Sequence, residues 1–526
     1  MNLTSTHNSE VDWTAAQSLT ALSHADLAYE ETLSNLALLL DEYHGVSYGK
    51  EGWRIALGAW LLHLVHPITA YLNDSAPIAT PEGQLTFPCF DHSTFLSDLS
   101  NSLKSQTVFR NMIKILRQNC RDNQVAEKNM RKKINGYIPV FNQPDLNLIN
   151  LRGIYTPSYT HKTINDSFSL NQICNRWSLS GAPIKASFRI DHRWRLSNFD
   201  HQDKSDLSAI CLTMAKFYLP VIFLEAFPVI RKNLISKNSC VFYTANSFYS
   251  DPSFCLYLAE NQTKTHLLHH QHGGGYGIDK KHSLENFERS VSKTYFTWGW
   301  NEDDKNHSLK PLSIPMRLFR VPQKKMVKEC LLVCVSFPKF IYRLQCHPTA
   351  NRAYKLVDDT IKFTKNINSS VKLKLRPYHQ DYGDDLCDRL PGETTIKIEK
   401  NEATRLWREQ SQCIYPLIIT NYLGTLWLET LAANIPTICF YDPKSYAFRK
   451  DAMPFINELL DAEVLHTSPE SAAEKVNLIH DEPEEWWQGN EIQDLRERFC
   501  FRYARMSENW VSEWSQAFNE ELSLSL

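Results

Sequence analysis

The chain has no Cys-x-x-Cys pair, no Asp-x-Asp, no long block of like charge and no apolar run long enough to span a bilayer. Each absence removes a class. Thirteen cysteines scattered from Cys89 to Cys500 argue for reduced thiols in a cytosolic protein, against both a disulfide framework and a zinc site. A net charge of −2, with Arg131-Lys132-Lys133 as the longest basic run, leaves no electrostatic footprint for nucleic acid. The most membrane-like run, Ile55 to Val65, is too short to cross, contains His63 and is closed by His66 and Pro67; it reads as a buried core helix. Met1 to Trp13 is polar and predicts no secretory signal. A peripheral contact with the inner face of the cytoplasmic membrane stays compatible with this, because a partner-mediated contact needs no polybasic or lipidation signal.

What is present predicts two domains plus extra elements, since 526 residues exceed one core. Leu33, Leu36, Leu39 and Leu40 recur at helical spacing, His44-Gly45 supplies a stop, and a second helix runs from Trp53 to Leu72, bent or broken at Pro67. A further helix is expected over Ser93 to Arg121, followed by a charged run, Glu127 to Lys133, read as a solvated face. Residues 136–203 read as an irregular, loop-rich insertion. A helical stretch from Ser205 to Phe227 is expected to kink or split at Pro220 and to end at Pro228. Strands at Cys240–Thr244, Thr265–His270 and Thr294–Trp298 then alternate with helices at Pro252–Glu260 and around Phe287–Val291. After a linker over 301–328, strands at Leu331–Ser336, Val371–Arg376, Thr395–Ile398, Leu417–Thr420 and Thr437–Tyr441 follow, with a helix at Asn351–Asn366. The expected fold is α/β, with two Rossmann-like domains facing across a cleft. The divisions are an N-terminal helical region (1–135), a first Rossmann-like domain (136–325), a second (326–480) and C-terminal helices (481–526).

Glycine is sparse, 17 in all, yet Gly273, Gly274, Gly275 and Gly277 fall within five positions. Such a cluster is a place for positive φ or for close approach to backbone. It follows a strand with histidines at its mouth. His272 is the candidate base, because imidazole is poised near neutral pH; His270 ranks lower, and His266 and His269 read as structural. Gln271, Gly273, Gly274 and Tyr276 complete a candidate substrate wall, which with the histidines lacks a recognised metal-ligand spacing. The neighbouring loop adds Asn246, Ser247 and Asp251. Asp251 is a candidate catalytic carboxylate whose default role is a helix cap before Pro252, and Asp191 and Glu225 are upstream alternatives. A second lip runs from Thr420 through Gly424-Thr425 to Pro436-Thr437: strand end, turn, helix start, new strand. A helix N-terminus with the Thr425 hydroxyl suits phosphate, and Glu429 lies one turn on; the plain alternative is a cap and a solvated glutamate. Lys372, Lys374 and Arg376 alternate on one strand, placing Arg376 at its end, while a lysine-dressed edge strand is the bland reading. His379, Asp381 and Tyr382 form a second-rank group.

Ordered together, these stretches resemble a family. Asp41 to Gly45, Trp53 to His63, Gln271 to Gly277, Trp298-Gly299-Trp300, Arg376-Pro377-Tyr378, Asp381-Tyr382-Gly383 and Gly424-Thr425 through Thr437 are similar to the transferases of bacterial O-antigen and surface-carbohydrate clusters catalogued from spirochaete loci. The resemblance implies a surface-glycan glycosyltransferase of GT-B-like architecture, binding a nucleotide-sugar donor and a glycan or lipid-linked glycan acceptor, in contact with inner-membrane assembly machinery. It leans toward CMP-activated keto-sugar acids. Donor contacts would come from Arg376, Gly424, Thr425 and Glu429, with no cofactor and no metal. A CDP-polyol phosphotransferase, a nucleotide-sugar epimerase and a non-catalytic glycan-binding subunit are alternatives.

Overall fold

The computed structural model describes residues 11–73, 133–154, 173–178, 184–197, 206–236, 238–302, 308–314, 325–337, 341–378, 386–390, 396–398 and 413–525. The expected helix at Ser93–Arg121, most of the charged run after it, and His379, Asp381 and Tyr382 lie outside them.

Two long helices open the fold, α1 (Ala15–His44) and α2 (Gly49–Asn73). The Thr14 side chain caps α1, and Gly45 ends it in the left-handed region at φ 61°. Asp41 then ties the two together, accepting from Tyr48 N, Gly49 N and Trp53 Nε1. Pro67 sits inside α2 without ending it. By length and composition α2 could cross a membrane, but its surface is mostly buried against α1 and the helices that follow.

The first sheet has six parallel strands in the order β2-β1-β3-β4-β5-β6: β1 (Ile149–Leu151), β2 (Cys174–Arg176), β3 (Cys240–Thr244), β4 (Thr265–His270), β5 (Thr294–Thr297) and β6 (Ser308–Pro311). Helices α3 (Leu207–Tyr218), α4 (Pro252–Glu260) and α5 (Ser283–Val291) join α1 and α2 in the core on one face. Two expectations change here. Residues 136–203 are not simply irregular: they supply β1, β2 and an antiparallel pair, Lys133–Ile138 with Ile184–Arg189. Short strands separated by polar turns carry too little periodicity to be read from sequence. Pro228 does not end a helix but begins one, Phe227–Arg231, because proline fits the first turn where its missing N–H costs nothing; the split at Pro220 stands.

The second sheet is also six-stranded and parallel, β9-β8-β7-β10-β11-β12: β7 (Cys330–Val333), β8 (Leu373–Arg376), β9 (Lys397–Ile398), β10 (Ile418–Thr420), β11 (Thr437–Phe440) and β12 (Leu465–His466). In chain order this is 3-2-1-4-5-6, the doubly wound pattern whose switch point lies between β7 and β10. Helices α6 (Asn351–Asn366) and α8 (Pro469–Ile479) cover one face, α7 (Thr425–Ala432) and α9 (Asn490–Tyr503) the other. The fold is therefore mixed α/β with two Rossmann-like sheets.

The C-terminal helix α10 (Trp510–Ser525) returns to the first sheet and seals its second face with Trp510, Trp514 and Phe518. Its Glu521, fully buried, accepts from Thr294 Oγ1 at 2.9 Å and pairs with His266 Nε2 at 2.9 Å and Lys310 Nζ at 2.6 Å. Truncating Trp514 to Ala removes a fully buried indole and should cost about 3–5 kcal/mol. A urea titration followed by far-UV circular dichroism should show the lower midpoint.

Candidate functional site

The strand β4 sorts its histidines by alternation. His266 and His270 face α10: His270 Nδ1 lies 2.8 Å from Tyr243 Oη and its ring packs on Trp514. His269 faces the other way, stacked between Phe248 and Tyr295. His272 stands past the strand end, at the mouth. Gln271 is buried and pins the loop: its Oε1 accepts from Trp298 N and Trp300 Nε1, and its Nε2 donates to Gly273 O. Gly275 and Gly277 then adopt φ of 88° and 71°, and a side chain at 277 would enter the Trp300 ring.

This loop touches the second lip. Gly274 N donates to Thr425 Oγ1 at 3.1 Å, and a Cβ on Gly274 would stand 2.5 Å from the carbonyl carbon and oxygen of Gly424. The contact lies at the switch point of the second sheet, where α7 starts. Next to it Asp279 and Phe448 form an antiparallel bridge, Arg449 N donates to Ile278 O, and Arg449 pairs with Glu285 at 2.7 Å and with Glu302.

Beneath His272 lies a group that the sequence reading missed. Glu288 on α5 is completely buried and accepts from Tyr249 Oη at 2.6 Å, Tyr276 Oη at 2.9 Å and Tyr295 Oη at 2.9 Å. Its Oε1 is 3.5 Å from His272 Nδ1, which is also 3.3 Å from Tyr276 Oη. Burial pushes the Glu288 carboxyl up to about 8, against the pull of the three phenols. Burial likewise raises those phenols well above their ordinary range, so they stay protonated donors. With the Tyr276 hydrogen directed to Glu288, the His272 tautomer that carries its hydrogen on Nδ1 fits this network and makes Nε2 the basic nitrogen. The signal for Glu288 was present: Leu284, Phe287 and Val291 mark an apolar helical stripe, and position 288 falls within it.

The other expected residues sit as follows. Asp251 caps α4 through Phe254 N and pairs with Arg152, whose Nε is 2.8 Å away, the default role for this residue. Asn246 and Ser247 pack on Gly153. Glu225 pairs with the buried Arg195 and accepts from Asp191 N, while the Asp191 carboxylate accepts from Trp194 N and Tyr43 Oη, so neither takes part in the glycine loop. Arg376 ends β8 almost wholly buried, with Lys374 half-buried beside it against Tyr415, so this strand is no solvated lysine edge. Glu429 is buried too, not a solvated face. His272, Gly273, Gly274 and Tyr276 are thus brought together with Gly424 and Thr425, while His270, Gln271 and Asp251 serve the frame.

The Glu288 carboxyl generates a pH prediction. Between about 4.5 and about 8 the folded protein keeps its proton while the unfolded chain loses it, so stability falls as pH rises through that window. Thermal melts at pH 5 and pH 8 should show a smaller drop for Glu288→Gln than for the wild type.

No curated protein matches the chain. A family model does, over residues 87–518, described as the LIC12162 family transferase. The match covers well over half of the sequence, and the chain belongs to the LIC12162 family of transferases.

Proposed function

We propose that the protein is a glycosyltransferase that moves a sugar from a nucleotide-activated donor to a hydroxyl of a surface glycan or its lipid-linked precursor. One observation carries this reading: His272, held through Nδ1 on the Glu288 network, stands two residues from the amide that meets Thr425 at the start of α7. A proton acceptor and a phosphate-suited helix start therefore share one cleft between two Rossmann-like domains.

In the reaction the acceptor O–H gives its proton to His272 Nε2 as the oxygen bonds to the anomeric carbon. The bond from that carbon to the donor phosphate breaks, and its electron pair leaves with the phosphate. The α7 N-terminus, the Thr425 hydroxyl and Arg376 meet the developing charge. The carboxylate form of Glu288, 3.5 Å from Nδ1, balances the positive charge that the proton brings to His272. A CMP-activated keto-sugar acid is the donor class favoured by resemblance, and a peripheral position on the inner face of the cytoplasmic membrane suits a lipid-linked acceptor.

A thermal-shift panel of CMP, CDP, UDP and GDP tests the donor side, since a ligand of the folded state raises its melting temperature. One nucleotide should give a clear shift that Thr425→Ala and Arg376→Ala reduce. His272→Ala should keep the shift but lose roughly 10²–10⁴-fold of turnover, measured as nucleotide release from the matching donor. No shift with any of the four nucleotides, or full turnover in His272→Ala, would sink the reading. Release of CMP together with a new phosphodiester would move the reaction to polyol-phosphate transfer.

A further inference from the structure

Residues 341–350, between β7 and α6, reach from the second domain onto the first. Leu344 N donates to His66 Nδ1 on α2 at 3.1 Å, and Ser283 Oγ at the start of α5 donates to Leu344 O at 3.3 Å. The segment is thus fastened by its main chain two residues from Tyr342, which fixes where that side chain lands. The Tyr342 ring lies parallel to the His63 ring, with 6.3 Å between centroids and an interplanar angle of 3°. His63 is itself aligned by its Nδ1, 2.8 Å from Ala59 O one turn back on α2.

From there a line of rings leads to the candidate base. His63 lies 6.2 Å from Tyr249, edge to face, and Tyr249 lies 5.7 Å from His272. His63 is buried, whereas Tyr342, Tyr249 and His272 are partly exposed. The Tyr249 hydroxyl is spent on the fully buried Glu288 at 2.6 Å, so the surface it shows is mainly ring carbon. Arg343 lies against the Tyr342 ring, its guanidinium carbon 5.7 Å from the centroid. The strip therefore joins apolar ring surface to a few polar groups, the mix from which small-molecule sites are built. It ends at His272, and the contact with Thr425 begins two residues further on, at Gly274.

We propose that Tyr342, His63 and Tyr249 form the subsite for the acceptor's sugar ring, the ring whose hydroxyl gives its proton to His272. The proposal rests on the glycosyl-transfer reading and adds the acceptor class, a pyranose that presents a face of C–H groups. Such a face suits ring carbon, and the hydroxyls around its rim suit the Arg343 guanidinium. A lipid chain or an open polyol has no rigid apolar face of this kind. A nucleobase stacks equally well but has no alcohol to deprotonate. Because Tyr342 comes from the second domain, the strip is whole only while residues 341–350 are fastened to α2 and α5.

Saturation-transfer NMR on the full chain tests this, with the methyl glycosides of glucose, galactose, mannose, rhamnose and N-acetylglucosamine as probes. At least one should receive saturation, strongest at the C–H protons of one ring face. Tyr342→Ala should weaken that glycoside about 3–10-fold, the scale of one aromatic contact, and Tyr342→Phe should keep it. The nucleotide thermal shift should stay unchanged in both variants, which also reports that they fold. No transfer to any of the five glycosides overturns the proposal, as does wild-type affinity in Tyr342→Ala. Equal binding of sorbitol, which has the hydroxyls without the ring face, overturns the stacked ring. Loss of the nucleotide shift in Tyr342→Ala with glycoside binding intact would put Tyr342 on the donor side, also against the proposal. Failure of the glycosyl-transfer reading would appear in the nucleotide panel alone, leaving the glycoside measurement to stand or fall separately.

Discussion

The glycine loop after β4 and the start of α7 meet through bare backbone. With Gly274 pressed on the carbonyl of Gly424, no other residue fits at 274 without driving the lips apart. The rest of the loop serves that approach. Gln271 and Trp300 fix where it leaves β4, and Gly275 and Gly277 take the left-handed turns that bring it round. The position of His272 relative to α7 is then set by main-chain geometry, which side-chain rotation cannot relax. A small residue cluster is here a distance constraint between domains, and the hydroxyl of Thr425 is placed by it.

The same economy of space explains Glu288. A carboxylate taken out of water is strongly disfavoured, and each hydrogen bond to it returns only about 1.5–3 kcal/mol. Three phenols are not enough to win outright, so burial prevails and the group titrates at about 8. The result differs from a fully compensated buried carboxylate, which would titrate low and stay ionised. A carboxyl held near neutrality lies 3.5 Å from the His272 ring, so its charge state bears directly on the imidazole beside it. The tyrosines come from three separate places, the loop after β3, the glycine loop and β5, so the network also ties those elements to α5.

The sheets were legible from sequence because their inner strands are apolar, short and bounded by turn residues; every strand from Cys240 to Thr297 was placed within a residue or so of its observed range. The edge strand β2 and its neighbour β1 were not, since three residues give no period to read. The glycine loop and Gly424-Thr425 were recognisable as lips because glycine at such density has few other uses. Which face of β4 meets the cleft was not recoverable: His270 is turned away because α10, some 240 residues later, covers that side.

Helix α5 carries two glutamates one turn apart, and they face different tasks. Glu288 holds His272 and the phenols. Glu285 accepts from Gly277 N at 2.9 Å and pairs with Arg289 and with Arg449 of the second domain. A rigid helical turn thus connects the interdomain clasp to the imidazole support over about 5 Å of rise. Any displacement of Arg449 acts on Glu285 and on the glycine loop together, because both are bonded to the same carboxylate. His272, the loop that approaches α7, and the clasp that joins the second domain are therefore one mechanical unit. In such a unit the spacing between His272 and the start of α7 holds only while Arg449 stays seated on Glu285, so the geometry of the loop and the seating of the two domains are set by the same contacts.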